Sequence, residues 1–208
     1  MYRIIIALII GYIFGLFQTG KILGLIKGFN LNSEGSGNAG ATNALRTHGK
    51  KIGLLTFLGD VIKAIIPMTI FGYILSKDVN GYRTLISLYI GIGTILGHCF
   101  PLFLKMKGGK GVSTALGVVL ASNPIMAIIP LTSFLLISIK TRYVSLGSIV
   151  AVVIVAIEGF IFSKNNLLSG SSDYYSECVI LYIVLALIII FKHRENIIRL
   201  IKGKENKI

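Results

Sequence analysis

Short polar stretches in this sequence place oxyanion-binding residue types at close spacing. Residues 35–46 read Gly-Ser-Gly-Asn-Ala-Gly-Ala-Thr-Asn-Ala-Leu-Arg. Gly37 and Gly40 would let backbone N–H groups approach an oxyanion. Ser36, Asn38, Thr42 and Asn43 add uncharged donors, and Arg46 adds one fixed cation. The stretch formally contains G-x-G-x-x-G at Gly35, Gly37 and Gly40, but it lies between apolar runs instead of following a strand, so a dinucleotide site is excluded. A tight glycine turn with a solvated Arg46 is the plain alternative. A second stretch carries His98 and then Lys107-Gly108-Gly109-Lys110-Gly111 before an apolar run. It is not a Walker A loop, because Lys110 is followed by Gly111 instead of Ser or Thr. Two ammonium groups and free N–H groups at the positive end of a helix dipole would suit a phosphate; a clamp on lipid headgroups is the alternative. His98 reads as a structural, helix-end hydrogen-bonding residue, since no nucleophile or orienting carboxylate stands beside it.

In the third stretch, around 140–148, Ser145 is placed to cap the helix that follows it or to meet a ligand. In the fourth, His193, Asn196 and either Arg199 or Leu200 share one helical face; a basic amphipathic tail on anionic lipid is the competing reading. Within the apolar runs, Asp60 and Lys63 are spaced to pair on one face as a structural ion pair, and Glu158 is expected to reach water near a helix end. A His-x4-Asp acyltransfer dyad is missing, because the residues five beyond His48, His98 and His193 are Gly53, Phe103 and Ile198. Carboxylates near the polar stretches are too sparse to hold a metal, so neither a metal nor a cofactor is expected.

The elements that must position these groups are membrane helices. The chain has 208 residues, 54% of them hydrophobic and 14% charged, with a mean hydropathy of +0.82, which excludes a soluble globular domain. Its net charge of +13 would fit a nucleic-acid binder, but its apolar content does not. Apolar runs at 4–17, 52–75, 85–100, 112–121, 125–139, 145–162 and 178–191 predict seven transmembrane helices, some short, in one all-α integral-membrane domain over 1–208. The fourth run could fuse with the fifth across Asn123 and Pro124. Charge argues against fusion. Sixteen of the 21 Lys and Arg lie at 21–51, 105–110, 140–142 and 192–207, which alternate consistently with seven spans, the N-terminus outside and the C-terminus cytoplasmic.

At this level of detail the sequence resembles the PlsY family of bacterial acyl-phosphate:glycerol 3-phosphate acyltransferases. The resemblance rests on Ser36-Gly-Asn-x-Gly-Ala-Thr-Asn43-x-x-Arg46-x-x-Gly49 with Asp60, Lys63 and Pro67. It continues through Gly97-His-x-Phe-Pro101 to Lys107-Gly-Gly-Lys-Gly-Val112, Tyr143-x-Ser-Leu146, and His193-Arg-x-Asn-Ile-x-Arg-Leu200 with Gly203 and Glu205. Ala64, Met106, Ser113 and Arg142 depart from the family pattern without removing a phosphate-binding candidate. The resemblance implies a multi-pass cell-membrane enzyme, active at the cytoplasmic face, that transfers a fatty acyl group from acyl phosphate, not acyl-CoA or acyl-ACP, to glycerol 3-phosphate. The product would be lysophosphatidic acid, and a soluble enzyme would supply the acyl phosphate. On this reading Ser36, Arg46, Lys107, His193 and Asn196 carry catalysis. Gly37, Asn38, Gly40, Thr42, Asn43, Gly108, Gly109, Lys110, Gly111 and Ser145 bind substrate, with Lys107 and Lys110 interchangeable candidates for the phosphates. His193 stands open between phosphate ligand and general base. A small anion transporter is the rival class, but it would call for matching sites in two halves, which the sequence does not show.

Overall fold

The computed structural model describes residues 2–77, 82–104, 106–168 and 172–208; Lys105, counted above among the basic-face cations, lies outside them. Among the described residues there are nine α-helices and no strand. They are α1 (Tyr2–Gly15), α2 (Thr19–Lys27), α3 (Ala41–Ser76), α4 (Tyr82–Cys99), α5 (Val112–Ser122), α6 (Ile128–Thr141), α7 (Val144–Lys164), α8 (Tyr175–Lys192) and α9 (Arg194–Ile201). Each of the seven apolar runs becomes a helix, as it must where lipid offers no partner for a free backbone N–H or C=O. The two additional helices, α2 and α9, are short and expose Leu25, Ile26 and Ile201 beside their charged residues. The chain is a multi-span integral membrane protein, with five helical segments long and apolar enough to cross a bilayer.

The fourth and fifth runs stay separate. Asn123 is extended at φ −159° and ψ 113°, and its Oδ1 accepts the Ile125 N–H at 2.9 Å, so a new helical turn starts at Pro124. α3 extends further back than the second apolar run, beginning at Ala41 and bending at Gly49, whose φ of 79° lies in the left-handed region. Residues 41–46, expected as loop, are therefore the first turns of a helix.

α4 is the central element. Of its 18 residues, 14 are buried, which explains how it tolerates Ser87, Thr94 and His98 within an apolar environment. Its closest neighbour is α1, and the approach depends on missing side chains. A Cβ on Gly11 would sit 2.0 Å from the Ile90 carbonyl oxygen, and one on Gly15 would sit 2.3 Å from that of Thr94. The relation is reciprocal, because a Cβ on Gly93 would lie 2.3 Å from the Leu8 oxygen and one on Gly97 2.2 Å from the Tyr12 oxygen. Both helices thus carry Gly-x-x-x-Gly on the shared face, a device for close contact where lipid supplies no hydrophobic drive between helices. Cys99 and Cys178 are buried free thiols. Glu158 departs from expectation. It is 6% exposed, with Oε2 buried and unpartnered, because α8 presses Tyr182 against the adjacent Gly159 and closes that face.

Candidate active site

The first polar stretch is held together by Asn43 at the start of α3. Its Oδ1 accepts the Ser36 N–H at 2.8 Å, and its Nδ2 donates to the Leu31 and Glu34 carbonyls at 3.1 and 3.0 Å. Asn43 reaches the cavity wall, but its amide is spent on folding the loop that presents Ser36 and Asn38. Asn38 Oδ1 is buried without a partner, and Gly40, Thr42 and Arg46 continue the same wall. The Arg46 guanidinium donates to the Asn206 carbonyl at 3.1 Å. Gly37, at φ 70°, turns the loop and gives its carbonyl to Asn32 Nδ2 at 3.2 Å, behind the lining.

The second stretch folds around His98. The Gly109 N–H donates to the His98 carbonyl at 3.1 Å, so it is not free for an anion. Lys110 then enters the cavity wall, and Gly111, at φ 85°, turns the chain into α5. The Val112 and Ser113 N–H groups at the start of α5 carry the positive end of its dipole toward the same space. Lys107, expected beside Lys110, stands outside the cavity. Its side chain is exposed, and its carbonyl accepts from Lys21 Nζ at 3.0 Å.

Opposite these groups, Ser145 does not cap α7. Tyr143 holds the N-cap position, and Ser145 Oγ is buried, unpartnered and on the cavity wall. His193 and Asn196 project from the α8–α9 junction. The His193 Nδ1 lies 2.8 Å from the Ile189 carbonyl, which can only accept, so Nδ1 carries the proton and Nε2 offers a lone pair when the ring is neutral. Burial pushes the His193 pKa down to about 4, against the opposing pull of that carbonyl, so the ring is neutral at pH 7. Asn196 is fixed from both sides: Lys110 Nζ donates to its Oδ1, and its Nδ2 donates to Glu205 Oε1 at 2.7 Å. Arg199 Nε donates to Glu205 Oε2 at 2.9 Å. Burial, reinforced by Arg199 and opposed by Glu205, lowers the Lys110 pKa to about 8.

These groups line one cavity of about 360 Å³. At its polar end three cations, Arg46, Lys110 and Arg199, gather about the Glu205 carboxylate. Toward the membrane interior the wall becomes apolar, with Leu116, Val119, Leu131, Phe134, Val152 and Val155 from α5, α6 and α7. A cationic mouth continuous with a greasy groove fits an amphiphile whose headgroup is anionic. Asp60 and His98 also reach the wall, and Lys63 bonds to Asp60 at 2.7 Å behind it. Among the described residues, no three His, Cys, Asp or Glu side chains are grouped as a metal site requires. Two members, Arg199 and Glu205, stand in the C-terminal motif without an expected role in the site. Arg199 was one of two residues on the His193 face, but nothing distinguished it as a site residue. Glu205 meets Asn196 only because the chain reverses at Gly203, φ 65°.

Residues 5–203 match the family model described as glycerol-3-phosphate acyltransferase. A glycerol-3-phosphate acyltransferase of Geotalea daltonii is 39% identical over 202 residues, covering 97% of this chain and 96% of that protein. One from Aquifex aeolicus is 38% identical, with 96% of each chain covered. Two crystal structures of PlsY, described as an integral membrane glycerol 3-phosphate acyltransferase, superpose closely. The glycerol 3-phosphate form gives a TM-score of 0.83 at 36% identity, covering 99% of this chain and 95% of that one. The lysophosphatidic acid form gives 0.79 at 37%, covering 98% and 94%.

Proposed function

This chain belongs to the glycerol-3-phosphate acyltransferase family, and on that premise we propose that it moves a fatty acyl group from acyl phosphate to glycerol 3-phosphate, releasing lysophosphatidic acid and inorganic phosphate. One observation carries the reading: a single cavity joins a tricationic end to an apolar groove, which suits both a phosphate substrate and an acylated one. Similar proteins of known structure are described in glycerol 3-phosphate and lysophosphatidic acid forms; both molecules carry a phosphate that the cationic end suits, and the second adds an acyl chain that the groove suits.

Arg46, Lys110 and Arg199 neutralise the phosphates, with Ser36, Asn38 and Ser145 as uncharged partners. Asn196, clamped between Lys110 and Glu205, holds a substrate oxygen in register. The acyl phosphate is a mixed anhydride and already activated, so positioning and charge neutralisation replace a nucleophilic side chain. The glycerol hydroxyl oxygen forms a bond to the acyl carbon, and the bond from that carbon to the phosphate oxygen breaks. The hydroxyl proton passes to a phosphate oxygen. His193 Nε2, unprotonated on the cavity wall, carries that proton between the two: it accepts the hydroxyl's hydrogen bond, takes the proton as the oxygen bonds to the acyl carbon, and returns it to the released phosphate.

The site lies at the cytoplasmic face of the cell membrane, where glycerol 3-phosphate is available and a soluble enzyme can deliver acyl phosphate. The test is reconstitution of the purified protein in lipid with glycerol 3-phosphate and either palmitoyl phosphate or palmitoyl-CoA, scoring lysophosphatidic acid. Palmitoyl phosphate alone should support turnover, and Arg46→Ala should abolish it. Turnover on the thioester alone, or unaltered turnover in Arg46→Ala, would sink the donor or the site.

A further inference from the structure

His98 is 3% exposed at the end of α4, and it and Lys110 are both among the residues that line the cavity. Its Nδ1 lies 2.7 Å from Lys63 Nζ. The same ammonium reaches Asp60 Oδ1 at 2.7 Å and the Phe17 carbonyl at 2.8 Å. Three N–H bonds therefore meet three acceptors. An ammonium cannot accept, so Nδ1 must supply a lone pair, which leaves the ring neutral with its proton on Nε2. No hydrogen bond engages Nε2–H among the described residues. The segment that follows makes room for it, because a Cβ on Gly109 would fall 2.1 Å from Nε2 and one on Gly108 2.0 Å from the His98 carbonyl oxygen. Lys63 and Asp60 from α3, Lys21 from α2 and Lys192 from α8 are the charged groups around the ring.

We propose that His98 is a substrate-contacting residue whose Nε2–H is a fixed donor to an anionic oxygen of a bound phosphate or acyl phosphate group. Lys63 and Asp60 are positioning residues that set its tautomer. The inference rests on the proposed function only for the identity of the ligand. It gives the cavity two neutral imidazoles of opposite sense: His193 accepts through Nε2, and His98 donates through Nε2. The paired glycines of residues 107–111 thereby acquire a reason besides backbone approach to phosphate, since they admit the ring.

The test uses full-length protein with 15N-labelled histidine in detergent micelles, the His98 signals being those lost in His98→Gln. The expected spectrum shows Nδ1 unprotonated and Nε2 protonated at pH 7, and a protonated Nδ1 population appears in Lys63→Met. Addition of glycerol 3-phosphate, or separately of a non-reactive palmitoyl phosphonate, should move the Nε2 resonance. A response to only one of them identifies which substrate supplies the oxygen. In the reconstituted assay His98→Ala should lower kcat/KM about 100-fold, and His98→Gln, which retains an N–H donor, should recover at least part of it. An Nδ1-protonated ring, an Nε2 signal indifferent to both ligands, or wild-type kcat/KM in His98→Ala would overturn the proposal. A wild-type protein that makes no lysophosphatidic acid while the Nε2 signal still responds would instead fault the assigned reaction.

Discussion

The His193 ring and the Lys110 ammonium set the two limits of the working pH range. His193 is neutral down to about pH 4, well below its ordinary 6.5. Protonation as pH falls through about 4 removes the Nε2 lone pair, and activity should fall there and not near 6.5. The unfolded chain takes up that proton first, so the stability contributed by the neutral ring is complete above 6.5 and lost as pH falls toward 4. Replacing His193 with Gln should lower kcat by about 100-fold or more, the usual range for a positioned acid-base group, and erase the acid limb; a raised KM with unchanged kcat would make it a phosphate ligand instead. Lys110 loses its proton as pH rises through about 8, so the KM for glycerol 3-phosphate should rise above that pH. In Lys110→Arg the rise should vanish, and in Lys110→Met KM should increase roughly 10- to 100-fold at pH 7, the worth of a charged hydrogen bond. These residues were legible in the sequence because a polar cluster in so apolar a chain needs a reason. Which lysine meets the ligand was not legible, since Lys107 and Lys110 differ only in the turns at Met106 and Gly111, both at positive φ. Glu205 stands in the C-terminal motif, but its contact with Asn196 was not legible, because the two meet through a reversal of the tail.

At the scale of elements, hydrophobic run length located all seven apolar helices, since each must satisfy its own backbone in lipid. It did not reveal which helices touch. The α1–α4 contact is written in four glycines whose spacing carries meaning only when both faces are known. Gly97→Leu should therefore drive a side chain into the Tyr12 carbonyl and cost at least about 3 kcal/mol, read as early unfolding in detergent. Gly40→Ala is the contrasting case. The nearest atom to its Cβ is 3.7 Å away, so the fold should be unchanged. The apolar groove is likewise a property of assembled elements, since α5, α6 and α7 each contribute to it. Val155→Phe should shorten it. If two methylenes of a palmitoyl chain are displaced into a less apolar setting at about 0.8 kcal/mol each, kcat/KM for palmitoyl phosphate should fall about tenfold relative to decanoyl phosphate.

Across the whole molecule, the separate basic segments form one face. Lys21 bonds to the Lys107 carbonyl, Arg46 to that of Asn206, and the Ile208 N–H to that of Arg142 at 3.0 Å, so the first stretch is tied to the second and fourth, and the fourth to the third. The cavity's cationic end opens among these same segments, and its apolar groove runs into the membrane interior. With the basic face in the cytoplasm, as the proposed function requires, both the helices and the substrate would be oriented: headgroup toward the aqueous supply of glycerol 3-phosphate, acyl chain among lipid tails. Cysteine labelling can test this without any assay of activity, because Cys99 and Cys178 are both fully buried and should not compete for a membrane-impermeant maleimide. Lys204→Cys lies exposed on the basic tail and Lys77→Cys lies exposed at the far end of α3. In intact cells Lys77→Cys should be labelled and Lys204→Cys protected until the membrane is permeabilised. The reverse pattern would place the cationic mouth outside the cell, away from any cytoplasmic donor enzyme, and with it would fall the delivery of acyl phosphate from that side.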